Sequence, residues 1–279
     1  MTRNRPMTSA ASTPELLGFE LLRQTLPGCF HFVTTRQGGV SQGAYATLNC
    51  THYCGDNPEH VRLNRERLLQ AFPQPPKALA IPHQTHGTTV RVLDDTFFRL
   101  DEGQQSALLE GVDALATRTP GLCLAISTAD CVPILIADVQ TNAVAAIHAG
   151  WRGTVAGIAR QTVATLQQTF GSRPAHLVAG IGPSISPQAF EVGDEVCQAF
   201  ADAGFPMERI AFRHPQSGKW HIDLWEANRL QLLQQGLSPS HIEVAGLCTY
   251  SQPERFFSAR RLGPQSGRLL SGIMRLDNC

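Results

Sequence analysis

Apolar positions along the chain fall into short runs of strand length, separated by stretches with helical spacing. Residues 29–35 (CFHFVTT) are β-branched and aromatic, which predicts a strand closed by the Gly38-Gly39 turn. Asn57-Pro58-Glu59 starts a helix that runs to about Phe72. Its proline is early, its first turn is acidic, and Val61, Leu68, Leu69 and Phe72 fall on one side. Strands are expected at 79–82 and 88–93, flanking His83-Gln84-Thr85-His86-Gly87. Residues 97–111 read as a polar, irregular surface excursion. Three apolar runs follow at 122–127, 132–138 and 143–148, the last two joined by a short polar turn, then a helix over 154–170. Residues 177–181 are a further strand, and helices are expected near 194–203 and 224–235, with strands at 242–246 and 269–276. Strands interleaved with helices argue for mixed α/β layers, and neighbouring strands joined by short turns argue against a purely parallel sheet. The fold class is α+β, one domain with mixed sheets.

Composition narrows the function classes. Of 279 residues, 42% are hydrophobic, and Lys+Arg and Asp+Glu both total 23. Zero net charge removes the basic surplus of a nucleic-acid binder. No apolar run approaches the roughly 20 residues a membrane span needs. Eight cysteines without a CxxC pair read as free thiols of a reducing, cytoplasmic compartment. Residues 1–14 are rich in Ser, Thr and Pro and lack a signal peptide's apolar core, so they are expected to be a disordered tail before a single catalytic domain at 15–279.

The chemistry gathers around the 132–138/143–148 hairpin. Cross-strand partners have position numbers with a constant sum; a turn centred near residue 140 gives about 280 and sets Cys131 opposite residue 149, one position from His148. Singly, Cys131 is a core thiol and His148 a satisfied imidazole. Together with Gly150-Trp151-Arg152-Gly153 at the start of a helix, they define a site. A second histidine comes from His83 or His86, and spacing alone does not choose between them. A His2Cys set that leaves one position open is catalytic-zinc chemistry; the same trio without metal is a Cys nucleophile with a His base.

The motifs QTHG (84–87), TADCVP (128–133), HAGWRG (148–153), GIGPSI (180–185), FEVGDEV (190–196) and FFSARR (256–261) resemble the YfiH-type family, whose members carry the label "laccase domain" or "multicopper polyphenol oxidase". TTRQGGVS (34–41), LNC (48–50), GDNPEHV (55–61) and Asn64-Arg65 also match, so the resemblance spans about 30–276. It implies a four-layered α/β/β/α architecture like that of cysteine-hydrolase toxins, and metal ligation by His86, Cys131 and His148. It further implies Arg65 at the same pocket. Two departures stand out: a longer segment between His86 and Cys131, and Ala259 where the family often has tyrosine.

The laccase label conflicts with the residues. A mononuclear copper site plus a trinuclear cluster needs about ten histidines, largely in HxH pairs. The chain has ten histidines in total and no HxH pair. The resemblance implies instead phosphorolysis of adenosine, inosine and methylthioadenosine, with adenosine deamination, on zinc in preference to copper. Catalytic roles are expected for Arg65, Cys131 and His148. Arg65, then Arg36 and Arg152, are the phosphate candidates, because a planar guanidinium matches phosphate oxygens. Asn49 is a ribose-orienting candidate or a turn residue, and Asp130 an imidazole partner or a strand cap. The partners are then a small-molecule nucleoside and phosphate. A metal-free Cys131–His148 amidohydrolase of a peptidoglycan precursor is the main rival, and a binding module with a structural metal the third reading.

Overall fold

The computed structural model describes residues 13–277. The expected tail therefore lies, apart from Thr13 and Pro14, outside the described residues, as does Cys279. Strands in chain order are β1 (Leu16–Leu17), β2 (Cys29–Thr34), β3 (Ala78–Ala80), β4 (Val90–Val92), β5 (Ala114–Thr117), β6 (Leu122–Thr128), β7 (Val132–Asp138), β8 (Val144–Ala149), β9 (Leu177–Ile181), β10 (Glu191–Val192), β11 (Ala211–Arg213), β12 (Trp220–Ile222), β13 (Ile242–Val244) and β14 (Leu269–Arg275). Helices are α1 (Glu20–Thr25), α2 (Pro58–Gln70), α3 (Glu102–Leu109), α4 (Trp151–Ala156), α5 (Ile158–Phe170), α6 (Asp194–Asp202), α7 (Met207–Ile210), α8 (Leu224–Gln234) and α9 (Ala259–Leu262). The strands form a five-stranded sheet in the order β1-β2-β14-β6-β3, a six-stranded sheet β13-β9-β7-β8-β5-β4 and a small sheet β10-β12-β11. Both large sheets mix parallel and antiparallel pairs, as in the expected α+β class.

Strand periodicity shows how the layers stack, because successive side chains point to opposite faces. On β6, Leu122, Leu124 and Ile126 pack against Leu135, Ala137, Val144 and Ala146 of the six-stranded sheet. The intervening Cys123 and Ala125 pack with Leu68 of α2 and with Phe72. On β7, Ile134 and Ile136 turn the other way, onto Ile158, Val163 and Leu166 of α5 and Leu224, Ala227 and Leu230 of α8. The order is helix, sheet, sheet, helix, so the sheets are buried on both faces and read as continuous apolar runs.

Three expectations change. The 97–111 segment is not irregular: a 3-10 turn at Asp95–Arg99 leads into α3. An Asp101/Gln104 capping box starts that helix, and Phe97 and Leu109 are its buried anchors. The expected helix over 154–170 is two helices, starting earlier at Trp151 and broken at Gly157, whose φ of 87° is left-handed. In the hairpin, Ile134 pairs with Ile147 and Pro133 with His148, a sum of 281 rather than 280. The turn sets this register: Asp138 Oδ1 accepts from the Gln140 and Thr141 amides, and left-handed Asn142 closes a four-residue loop. Cys131 therefore continues the ladder opposite Gly150. The strands of the small sheet are two or three residues long, too short for an alternation to show, and β5, made of Ala114, Leu115, Ala116 and Thr117, carries little β-propensity. No disulfide joins the seven described cysteines.

Candidate metal and active site

The chain crosses from one sheet to the other between β6 and β7, over Ala129, Asp130 and Cys131. This crossing sets Cys131 at the sheet ends, beside His148 of β8 and beneath the His86 loop. Ligand atoms of His86, Cys131 and His148 lie within 4.8 Å of one another, the one such cluster of His, Cys, Asp and Glu among the described residues. The His86 Nε2 to Cys131 Sγ distance is 3.9 Å, and the two imidazoles meet edge-on at 4.9 Å. His83 points elsewhere, to Glu110, so of the two histidines left open by spacing the structure gathers His86.

Asp113, absent from every expectation, organises the cluster. It has no exposed surface and precedes β5. One carboxylate oxygen accepts from His148 Nδ1 at 2.8 Å and from the His86 amide at 2.9 Å; the other accepts from the Gly87 amide at 2.7 Å and, more weakly, from Thr85. An ionised carboxylate only accepts, so His148 donates from Nδ1 and keeps Nε2 for a ligand. The same acid holds the His86 loop, where His86 takes a φ of 64°. Asp130, next to Cys131, takes 89°. Two of the three left-handed non-glycine residues among the described ones thus touch or adjoin the cluster, a strain of about 1–3 kcal/mol each that the surrounding bonds hold in place. The signal for Asp113 was present in sequence: a carboxylate inside an otherwise apolar stretch, Val112-Asp113-Ala114-Leu115.

Electrostatics couple the cluster further. Burial pushes the Cys131 thiol up, but the His148 and His86 imidazoles outweigh it and bring it down to about 6. Burial pulls His148 down, and the Cys131 thiolate and the Asp113 carboxylate outweigh that, raising it to about 9. The two shifts are reciprocal, because each group's charged form stabilises the other's. Gly150 makes the approach feasible: a Cβ there would meet His86 Cδ2 at 2.9 Å and Cys131 Sγ at 3.1 Å.

The cluster floors a cavity of about 360 Å³ walled by Tyr53, Gln84, Ser127, Ala259 and Arg268. That volume suits a small-molecule site. Gln84 pairs with the Ser127 backbone in both directions. Ala259, the departure noted in sequence, is a wall position, and its small side chain leaves room there. The other expected residues sit around this cavity in different ways. Arg65 lines an adjoining cavity and donates from Nε to the Cys50 carbonyl. Arg36 donates to the Ala46 and Pro253 carbonyls and lies over Phe257. Arg152 lies over Trp151 at the start of α4. Asn49 is fully buried and holds Thr51, Asp56 and the Arg268 amide, so it shapes the loop that carries Tyr53. Asp130 contacts no imidazole; it binds Thr249, Ser258 and the Arg260 amide, tying the start of α9 to the crossing. Cys50 and Cys54 stay outside the cluster.

The donor set fits a single divalent ion. It joins a depressed-pKa thiolate, an imidazole whose far nitrogen is held by a carboxylate, and a second imidazole at the rim, with the cavity on the open side.

Two packed mixed sheets with outer helices, and one His-Cys-His cluster at the sheet junction, define a class of single-domain α+β proteins with one metal-capable cavity. Residues 30–276 match the family described as "Multi-copper polyphenol oxidoreductase laccase", and the chain belongs to that family. It is 52% identical over 268 residues to a purine nucleoside phosphorylase of Bacteroides thetaiotaomicron, covering 96% of this chain and 99% of that protein. It is 42% identical to "Adenosine deaminase RL5" of an unknown prokaryotic organism, over 90% of this chain and 96% of that one. The crystal structure of the Bacillus licheniformis hypothetical protein YfiH superposes with a TM-score of 0.84 at 29% identity, covering 95% of this chain and 98% of that one. No helix among the described residues is long and apolar enough to cross a membrane.

Proposed function

We propose that this protein is a zinc-dependent purine nucleoside phosphorylase, acting on adenosine, inosine and methylthioadenosine, with adenosine deaminase activity. The observation that carries this reading is the Asp113-anchored cluster of His86, Cys131 and His148 at the floor of a nucleoside-sized cavity. The names of the relatives, one a phosphorylase and one a deaminase, support the two reactions. A multicopper oxidase is disfavoured because one three-ligand cluster has room for one ion, and His31 and His221 are buried far along the chain on Phe19 and Pro187. A mixed thiolate and imidazole set suits zinc.

In this reading His86, Cys131 and His148 would hold the ion, and the chemistry it would supply when bound is that of a Lewis acid beside the cavity. Asp113 keeps the proton on His148 Nδ1 and so the lone pair on Nε2. Phosphorolysis forms a bond from an oxygen of monohydrogen phosphate to C1′ and breaks the bond from C1′ to the base nitrogen, which keeps the electron pair and takes up the proton that the phosphate gives up. Arg65 is the phosphate partner, with Arg152 at the α4 start as the next candidate. Arg36 and Asn49 act through the walls they brace.

Incubation with adenosine, with and without phosphate, tests the reading. The expected products are adenine and ribose 1-phosphate only with phosphate, and inosine without it, both lost in His86→Ala and Cys131→Ala. No turnover in either condition overturns it.

One observation favours a second reading. Cys131, His148 and Asp113 stand in the order nucleophile, base and orienting acid, and the thiol is already brought down to about 6. This arrangement supports a metal-free amidohydrolase, for which a peptidoglycan precursor is the proposed substrate. Activity that survives complete chelation and is abolished by thiol alkylation selects it over the zinc enzyme.

A further inference from the structure

A cavity of about 490 Å³ lies between α8 and the loop at 246–252 and shares no wall residue with the metal cavity. Its volume is that of a small-molecule site. No Asp, Glu, Lys, Arg or His lines it. Two aromatic side chains, Trp225 and Tyr250, and two carboxamides, Gln188 and Gln252, do, together with Ser186 and Cys248. A charged ligand finds no counter-charge in such a lining, whereas a neutral ring meets aromatic faces and amide edges.

The aromatic walls are held and the amides are uncommitted. Trp225 is half-buried and donates its indole N–H to Ser184 Oγ. Arg261 lies over Tyr250 at 4.4 Å and donates twice to the Tyr250 carbonyl. The Gln188 and Gln252 side chains form no hydrogen bond with any described residue, so each keeps a donor and an acceptor side by side. That pair matches one edge of adenine bidentately, and an aromatic side chain stacks on any base.

The walls of this cavity also support the metal site. Thr249, between Cys248 and Tyr250, is fully buried and donates to the Asp130 carboxylate at 2.7 Å. From the opposite wall the Ile185 amide, beside Ser184 and Ser186, donates to the Asp130 carbonyl at 3.0 Å. Asp130 precedes Cys131 and holds the start of α9 through Ser258 and the Arg260 amide. α9 carries both Ala259, a wall of the metal cavity, and Arg261, the brace of Tyr250. Movement of either wall therefore bears on Asp130, whose left-handed backbone sets the entry to Cys131.

We infer that this cavity is a second binding site, for a neutral planar heterocycle of the nucleobase class, and that its occupancy reaches Cys131 through Thr249, Asp130 and α9. The site goes beyond the proposed reaction and is read without turnover. Its purpose as a site for the released base, and only that purpose, rests on the phosphorylase reading.

Calorimetric titration of the whole chain, loaded with zinc, with adenine tests the site, and orotate serves as an anionic ring. The double variant Gln188→Ala/Gln252→Ala removes only side chains that bond to nothing in the fold, and is expected to weaken adenine binding by about tenfold or more. Tyr53→Ala, in the wall of the metal cavity, is expected to leave this binding unchanged. Orotate is expected to bind about tenfold more weakly than adenine or worse. No adenine binding by the wild type, undiminished binding in the double variant, binding lost in Tyr53→Ala, or orotate as tight as adenine overturns the site. The relay is read as the rate of Cys131 alkylation in metal-free protein with and without saturating adenine. A change of about fivefold or more that disappears in the double variant is expected. An unchanged rate overturns the relay, as does a change that persists in the double variant, which places adenine directly over Cys131. Adenine binding with the expected pattern in a protein that cleaves no nucleoside leaves the site standing and removes the phosphorylase reading. Nucleoside cleavage without adenine binding at this cavity does the reverse.

Discussion

At the residue scale, Asp113 holds the site together, since one carboxylate fixes the tautomer of His148 and the backbone of the His86 loop. Asp113→Asn keeps the shape and loses the charge, and is expected to weaken zinc binding by about 10–100-fold. Competition against a chromogenic chelator measures this; unchanged affinity would show that the carboxylate only props the loop. Gly150→Ala tests the packing of the cluster. Its methyl group would press on His86 and Cys131, and a displacement of about 1 Å is expected to cost about 100-fold in kcat with little change in Tm.

The coupled pair also makes a pH prediction. A thiol lowered from 9.0 to about 6 adds stability as pH rises through that window, and a histidine raised from 6.5 to about 9 loses stability over nearly the same window. From about 6.5 to 9 the two slopes oppose and cancel, because the pair exchanges a proton internally rather than with solvent. The signature is therefore reactivity. Alkylation of Cys131 by iodoacetamide in the metal-free protein is expected to reach half its maximum near pH 6. In His148→Ala the midpoint moves up toward the ordinary thiol range. A wild-type midpoint above 8 would refute the ion pair.

At the element scale, the starts of α2 and α8 were legible in the sequence. Asn57 caps α2 and Pro58 opens it; Asp223 caps α8. The break between α4 and α5 was not, because Gly157 is as compatible with a continued helix as with a left-handed stop, and packing of α4 against α8 decides. Gly157→Ala is expected to destabilise the protein by about 1 kcal/mol or more, read by urea denaturation, because the left-handed conformation penalises a side chain. The α3 segment illustrates the converse. A helix that buries only Leu109 has no apolar stripe to read, although its capping box was visible in Asp101 and Gln104.

At the scale of the whole molecule, the three large apolar clusters between and outside the sheets contain no metal ligand. Chelation is therefore expected to leave far-UV circular dichroism and a cooperative melt intact. The loss of stability is then only what ligand linkage dictates, about 2.7 kcal/mol at an ion concentration 100 times its dissociation constant, and is read as a lower Tm. Loss of the cooperative melt on chelation would assign the metal a structural role instead. Leu124→Ala, between the two sheets, is expected to cost about 2–5 kcal/mol while folded molecules keep their zinc affinity.

Sequence by itself determined most strands of the two large sheets, the longer helices, the class of fold, and the nearness of Cys131 to His148, because these depend on periodicities and turn lengths that are local properties of the chain. The hairpin placed the thiol and the imidazole within one position of their true register. Tertiary structure alone decided the rest. Asp113 reaches His148 across β5 and β8 and holds the His86 loop from 26 or so positions away. Arg36 and Asn49 are spent on carbonyls and loops that only folding brings near them. Arg65 faces its own cavity because α2 lies across the outside of the five-stranded sheet, which turns one arginine of that helix inward and leaves its neighbour in solvent. Such placements depend on which surfaces meet, and no local pattern of residues encodes that.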